Sequence, residues 1–167
     1  MIYYNKIRKM DISNGPGVRV SVFFQGCPFH CEGCFNPETW DYDTGKEFTD
    51  ETIKEILDLC EPDYIEGLSL LGGEPIFGRN IEGSTKLAKA FKERFPNKTL
   101  WSWSGSTYEK LKDLEIFDYL DVLVDGQFIL KERNPKLKYC GSNNQRTVDI
   151  KKTRESGKII PYEGDER

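Results

Sequence analysis

The sequence predicts an α/β fold, an incomplete, open (βα) barrel built on a parallel sheet. Strand-like and helical segments alternate from residue 18 to residue 126 at the spacing expected of βα units. The residues that suggest chemistry come directly after strands, at the edge where ligand sites collect in such folds. Too few units are present for a closed barrel of eight, so we expect an open one.

The strands are predicted from apolar, β-branched and aromatic runs that end at glycine or proline. Residues 2–12 are polar but tolerate β structure, which suggests an N-terminal strand or hairpin, and Asn14-Gly-Pro-Gly17 then forms a turn. The other predicted strands lie at 18–25, 64–71, 99–103 and 121–124, with a candidate strand at 147–150.

The helices are predicted from apolar residues at helical spacing. In the first helix, at 48–60, Thr49 or Asp50 can cap the start, and Pro62 follows the end. Its apolar face makes Cys60 a core residue. Two further helices are predicted at 81–95 and 107–114, and the segment 127–146 looks irregular.

The length of 167 residues suits one domain, which we expect over 1–150, followed by a polar tail over 151–167. Residues 1–10 show no secretory signal, and no apolar run is long enough to span a membrane. Five cysteines, an odd number with three of them clustered, argue against a disulfide framework. We therefore expect a cytoplasmic protein without a membrane partner.

The charge is unevenly distributed along the chain. The formal net charge of −4 does not suggest a nucleic-acid partner. Residues 131–158 nevertheless carry nine Lys and Arg against three Asp and Glu. This stretch is either a solvated surface or a docking surface for an acidic partner protein.

Three cysteines, Cys27, Cys31 and Cys34, share one loop just after the strand at 18–25. Zinc sites usually combine two Cys-x2-Cys pairs or add a fourth protein ligand, and no second pair is present. His30 could be that fourth ligand only in a strained loop. Three thiolates suit a 4Fe–4S cluster with one iron left open to a substrate or cofactor.

The spacing Cys27-x3-Cys31-x2-Cys34 resembles the signature of the radical S-adenosylmethionine (SAM) enzymes. The flanking segments 14–19 and 35–40 resemble the activating enzymes of glycyl radical enzymes, which are oxidoreductases. The short chain and the segment Gly141–Arg146 are similar to the activators of anaerobic ribonucleotide reductases. The resemblance implies a radical SAM barrel and reductive cleavage of SAM to a 5′-deoxyadenosyl radical. That radical would take a hydrogen atom from a glycine of the large reductase, and a low-potential donor would supply the electron.

The resemblance also implies cofactor contacts. Gly72, Gly73 and Glu74 are similar to the segment that holds the amino group of SAM, although such a run can also be a plain turn. The residue before the third cysteine is usually aromatic and contacts adenine, whereas here it is Gly33. Backbone groups of Gly33 to Phe35, including Cys34, or the ring of Phe35 could replace that contact. No catalytic residue beyond the cluster is required.

Two other functions share these features. One is the activase of a different glycyl radical enzyme, of the pyruvate formate-lyase type, which would usually need a longer chain. The other is a non-enzymatic iron–sulfur electron-transfer module, which would need a fourth cysteine ligand. The segment Gly141–Arg146 is either a loop with satisfied backbone groups or a contact to SAM or the partner.

Overall fold

A seven-stranded mixed sheet organises residues 1–165, which are the residues described by a computed structural model. The strands are β1 (Tyr3–Asp11), β2 (Val18–Phe24), β3 (Lys46–Glu47), β4 (Ile65–Gly72), β5 (Thr99–Trp103), β6 (Val122–Asp125) and β7 (Arg146–Asp149). The helices are α1 (Asp50–Leu59), α2 (Ile81–Arg94), α3 (Tyr108–Leu111) and α4 (Ile150–Ser156). Every helix within this range is too short or too polar to span a lipid bilayer.

The strand order is β3-β1-β2-β4-β5-β6-β7. The four central strands, β2, β4, β5 and β6, are parallel, as predicted, and the pairings outside them are antiparallel. The predicted parallel sheet is therefore present in the centre, whereas the edge strands β1, β3 and β7 depart from it by pairing antiparallel. Residues 12–17 connect β1 to β2, and a loop without an α-helix joins β6 to β7, so the chain reverses direction at both places. No pairing joins the outer strands β3 and β7 within the described residues, so the sheet is open.

The helices pack on one face of this sheet. Val20, Val22 and Phe24 of β2 alternate along the strand and contribute to a single apolar core with the helices. Cys60, at the end of α1, is fully buried in that core, as predicted. The side chain of Thr49 accepts a hydrogen bond from the Thr52 backbone N–H and caps α1. Burial of the apolar side chains in this core stabilises the fold by about 1.5–3 kcal/mol for each large side chain.

Arg19 lies fully buried on the opposite face of the sheet. Its guanidinium donates to the hydroxyls of Ser69 (2.9 Å) and Thr99 (2.8 Å) and to the carbonyl oxygens of Pro16, Leu68 and Thr99. Burial lowers the pKa of Arg19 to about 10, so the group remains charged at neutral pH. Because its partners lie on β4, β5 and the turn before β2, this one side chain ties the parallel strands together.

The C-terminal segment packs back on the sheet. The predicted tail begins at residue 151, and in the structure residues 150–156 form α4. The backbone N–H of Tyr162 then donates to Thr147, and its ring packs edge-on against Trp101 at a centroid distance of 4.9 Å. The division at residue 150 remains a prediction, and the last two tail residues, 166–167, lie outside the described range.

Candidate functional site

A cavity of about 490 Å³ lies at the carboxyl edge of the central strands. The segments that follow β2, β4, β5 and β6 all contribute to its wall, as expected for sites in α/β folds. The structure thus brings together the segments that the sequence singled out. Residues representing these four segments are Cys27, Gly73, Ser104 and Gly126.

The three clustered cysteines line this cavity as free, partly exposed thiols. Among residues 1–165, no three His, Cys, Asp or Glu side chains are close enough together to hold a single metal ion. Three thiols on one loop that faces an open cavity are a donor set of the type that holds iron–sulfur clusters, whose ligands are cysteine thiolates.

Backbone N–H groups lie near the cysteine sulfurs. Cys34 accepts from the N–H of Asn36 at 3.4 Å, and the backbone N–H groups of Phe29 and His30 near Cys27, and of Phe128 near Cys31, favour the thiolate form of those residues. Burial raises the pKa of the Cys27 and Cys31 thiols, and these donors act in the opposite direction. Donors of this kind stabilise the thiolate form that binds iron and tune the potential of a cluster.

The cysteine loop is fastened to its own C-terminal side. Gly26 and Cys27 donate from their backbone N–H groups to the carbonyls of Thr39 (2.6 Å) and Trp40 (3.1 Å). His30 adopts a positive φ of 47° and stacks on the indole of Trp40, with ring centroids 4.6 Å apart and planes inclined by 6°. The ring of His30 is therefore used in the architecture of the loop.

Gly72 and Gly73 are required by the protein's own backbone. A Cβ atom at Gly73 would lie 2.4 Å from the carbonyl oxygen of Gly26. A Cβ atom at Gly72, where φ is 120°, would lie 2.5 Å from the backbone of Phe24. The N–H of Glu74 also donates to Gly26 at 2.7 Å. The end of β4 is thus locked against the base of the cysteine loop, which the sequence did not reveal.

The carboxylate of Glu74 is buried and occupied by protein donors. One oxygen accepts from the Ser104 hydroxyl (3.0 Å) and the Gly105 N–H (2.7 Å). The other accepts from the N–H groups of Ile76 and Phe77, both at 3.0 Å. Burial raises the pKa of Glu74 to about 7, although all four donors favour the charged form. This side chain joins the loops that follow β4 and β5.

The loop between β6 and β7 holds the far side of the cysteine loop through apolar contacts. Phe128 and Leu130 fill the space beside Gly33, where a Cβ atom would lie 3.3 Å and 2.9 Å from them. Phe35 packs against Phe128 with ring centroids 5.1 Å apart, and both rings lie over Gly141. We call Phe35, Phe128 and Leu130 the hydrophobic clasp. Phe128 and Leu130 of this clasp pack directly against Gly33, which has a positive φ of 74°.

The segment Gly141–Arg146 shapes that loop. The side-chain oxygen of Gln145 accepts from the N–H groups of Gly141 (2.9 Å) and Ser142 (3.1 Å), and its amide nitrogen donates to Gly126 (3.0 Å). Arg146 binds the buried carboxylate of Asp125 at the end of β6. These contacts return the chain to β7 and hold Phe128 over Gly33. These contacts agree with the alternative that the segment is a loop whose backbone groups are satisfied.

Comparison with known proteins agrees with this site. Residues 13–148 match a protein family described as a 4Fe–4S single cluster domain. A protein of Enterobacteria phage T4 is 42% identical over 143 residues, which cover 86% of this chain and 91% of the relative. Relatives in Vibrio cholerae and Escherichia coli are 37% and 34% identical, covering 85% of this chain and 94% and 95% of theirs. All three are named anaerobic ribonucleoside-triphosphate reductase-activating protein.

The chain belongs to this family of activating proteins. The resemblance drawn from the cysteine loop and its flanks is therefore confirmed, and the family match supports an iron–sulfur cluster. Sequence reasoning missed the buried Arg19, the four donors to Glu74 and the hydrophobic clasp. Only Phe128 carried a signal, as an isolated aromatic residue just after Gly126.

Proposed function

We propose that this chain activates an anaerobic ribonucleoside-triphosphate reductase by generating a glycyl radical in it. The observation that carries the proposal is the loop of three partly exposed cysteines in one cavity, together with the names of the relatives. A 4Fe–4S cluster held by Cys27, Cys31 and Cys34 would supply one-electron chemistry: with an electron from a low-potential donor, SAM would be cleaved to methionine and a 5′-deoxyadenosyl radical, which would take a hydrogen atom from the glycine.

The chain's own residues hold and orient. Cys27, Cys31 and Cys34 would be the three ligands, so that the fourth iron remains open for the amino and carboxylate groups of SAM. Gly72, Gly73, Gly33 and Phe35 would border the cofactor. Glu74 would position the loops that border SAM and would not bind SAM through its carboxylate, since both carboxylate oxygens already accept hydrogen bonds from the protein.

The fold supports the same proposal. We infer that the open sheet is the incomplete barrel of the radical SAM type, formed by residues 1–150. Because the sheet does not close into a barrel, one side would remain open for a segment of a large partner to reach the cavity. Apolar side chains such as Phe29, Leu71 and Phe128 line the cavity and would keep water away from a reactive radical.

The decisive experiment is anaerobic electron paramagnetic resonance. The reconstituted protein, SAM and a strong reductant are mixed with the anaerobic reductase of the same organism, and a glycyl radical signal is expected on the reductase. SAM cleavage without that signal would contradict the choice of partner. A signal obtained instead with a pyruvate formate-lyase would assign the chain to the other type of activase.

Cysteine replacement tests the ligands. Replacing Cys27, Cys31 or Cys34 with Ala should reduce cluster iron and abolish SAM cleavage, because each thiolate would hold one iron. Cys60→Ala is the control, since Cys60 is buried in the core and burial raises its pKa to about 12. Iron and sulfide analysis with SAM cleavage assays provides the measurement. Wild-type cleavage by reconstituted Cys34→Ala protein would refute the ligand assignment.

A further inference from the structure

Apolar side chains are exposed beside the cavity. Phe35 and Leu130 of the hydrophobic clasp retain 63% and 42% of their accessible surface, and the neighbouring Ile129 retains 40%. Phe35 itself lines the cavity, so the exposed patch is continuous with the cavity wall. Contiguous apolar surface of this kind marks interaction sites on soluble proteins.

The basic stretch at 131–158 divides into two separate surfaces. Helix α4 begins near the amino end of β6, where the Ile150 N–H donates to Asp121, and this is the edge opposite to the cysteine loop. Two of its cations are already neutralised, Lys152 by Glu163 and Arg154 by Asp118. The α4 part of the stretch therefore lies away from the cavity.

The other part of the basic stretch lies on the loop between β6 and β7, which carries Phe128 and Leu130 of the clasp. It has four exposed cations and one acid, Glu132, within 131–138. None of the ion pairs found among residues 1–165 involves any of the four, so their charge is available to a partner. These loop cations are Lys131, Arg133, Lys136 and Lys138.

We propose that the clasp, Ile129 and the four loop cations form the docking surface for the reductase, which meets them with an apolar segment edged by carboxylates. This inference rests on the proposed function and adds where the partner binds. An apolar centre with a charged rim is the usual composition of a specific interface, and charge complementarity guides its formation.

The position of the surface also favours this partner. Arg133 and Phe128 belong to the same cavity wall as Cys31. A protein docked on the clasp would therefore touch the loop that holds the cysteines and could extend a residue into the cavity. The loop between β6 and β7 therefore contributes both to the docking surface and to the wall of the cavity.

The charge contribution is tested with two variants of equal net charge. Affinity for the anaerobic reductase of the same organism is measured by light scattering or surface-immobilised binding. The loop triple carries Lys131→Glu, Lys136→Glu and Lys138→Glu, and the control triple carries Lys54→Glu, Lys151→Glu and Lys158→Glu. The loop triple should bind at least about tenfold more weakly at low salt, or about 1.4 kcal/mol, with a smaller loss at high salt. The control triple should bind like the wild type, because its changes lie on helix α1, helix α4 and the segment after α4.

The apolar contribution is tested in the same assay. Ile129→Ser should weaken the complex about fivefold, because a partly exposed apolar side chain would be buried by the partner. Leu114→Ser is the matched control, since Leu114 is exposed to a similar degree, 36%, on the helical face of the sheet. SAM cleavage without the reductase should remain unchanged in all of these variants.

The outcomes separate this inference from the proposed function. Equal weakening by both charge triples, or none by Ile129→Ser and the loop triple, would overturn the docking surface while leaving the reductase as partner. Failure of the wild-type protein to bind the reductase would overturn the proposed partner and the docking surface together. Loss of affinity confined to the loop triple and Ile129→Ser would establish the surface.

Discussion

At Gly73 a single hydrogen atom decides how closely two chain segments can approach. The space that a side chain would fill contains the carbonyl oxygen of Gly26, 2.4 Å from the position of a Cβ atom, and the carbonyl of Thr39 at 2.9 Å. Both atoms belong to rigid backbone that fixes the start and end of the cysteine loop. A glycine pair that suggested a ligand contact therefore has a structural requirement that comes first.

Gly73→Ala should lower both stability and cluster content, because the added methyl group pushes the cysteine loop away from β4. We expect a loss of about 2–4 kcal/mol in the free energy of unfolding, in the range of overpacked sites. Gly83→Ala is the control, since the atoms nearest to its Cβ position are side-chain atoms of Ile2 (3.0 Å) and Phe48 (3.2 Å) rather than backbone atoms. Denaturant unfolding and iron analysis measure the two effects. Full iron loading in Gly73→Ala would show that the loop does not depend on this close approach.

Glu74 makes the stability of the protein depend on pH. The pKa of its carboxyl group is 4.5 in the unfolded chain, and burial raises this pKa to about 7 in the folded protein because it disfavours the charge. Between these values the folded protein binds more protons, so the free energy of unfolding should fall as pH rises from about 5 to about 8. The change should be on the order of 2 kcal/mol.

Comparing urea unfolding of the wild type and Glu74→Gln across this pH range measures the effect. The variant should lose the slope and carry a constant penalty, because its amide NH₂ would face N–H donors. Glu109→Gln is the control: its salt bridge to Arg146 lowers the pKa of Glu109, so its influence lies at more acidic pH. Stability that rises over the same range would mean that the four donors outweigh burial at Glu74.

The loop between β6 and β7 depends on one amide side chain. The side chain of Gln145 accepts hydrogen bonds from the backbone N–H groups of Gly141 and Ser142 and donates one to the carbonyl oxygen of Gly126, just after β6. It thereby replaces the regular hydrogen bonds that this irregular loop lacks. Phe128 and Leu130 of the hydrophobic clasp, near the start of the same loop, are positioned by this closure.

Gln145→Ala should loosen the loop without unfolding the sheet. Two N–H groups would lose their acceptor, at a cost of about 1–3 kcal/mol. Hydrogen exchange should accelerate at Gly141 and Ser142 while the amides of β4 and β5 remain protected. Lys136→Ala, in the same loop, removes a side chain for which the structure shows no hydrogen bond and should change neither region. Unchanged exchange at Gly141 would exclude Gln145 as the closure of the loop.

Across the whole molecule, local signals predicted the elements and missed what brings them together. The runs that became β2, β4, β5 and β6 end within one or two residues of their predicted bounds, because glycine and proline interrupt them. The directions of β1 and β7 depend on the connections, which hydrophobic patterns do not encode. The cysteine loop was readable from its spacing, whereas the clasp joins residues distant in sequence and the packing of Tyr162 on Trp101 is purely tertiary.

The C-terminal segment should contribute to global stability. Tyr162→Ala removes edge-on contacts with Trp101 and with Tyr139, whose ring centroid is 6.1 Å away, and should cost about 2 kcal/mol. The measurement is denaturant unfolding followed by tryptophan fluorescence. Tyr64→Ala serves for comparison, because Tyr64 is 57% exposed and should change stability little. Equal stabilities of the two variants would show that the segment after α4 is only loosely attached.

The turn before β2 borders one side of the cavity. Asn14 lines the cavity, its carbonyl oxygen accepts from Ser69, and the carbonyl oxygen of Pro16 accepts from Arg19, so the turn is fastened to the sheet at one side of the cavity. Under the proposed function, a reductase docked on the clasp would cover part of the cavity opening beside Phe35. We then expect SAM to bind before the partner and its cleavage products to leave after it. The rate of repeated activation would then be set by separation of the two proteins rather than by bond cleavage.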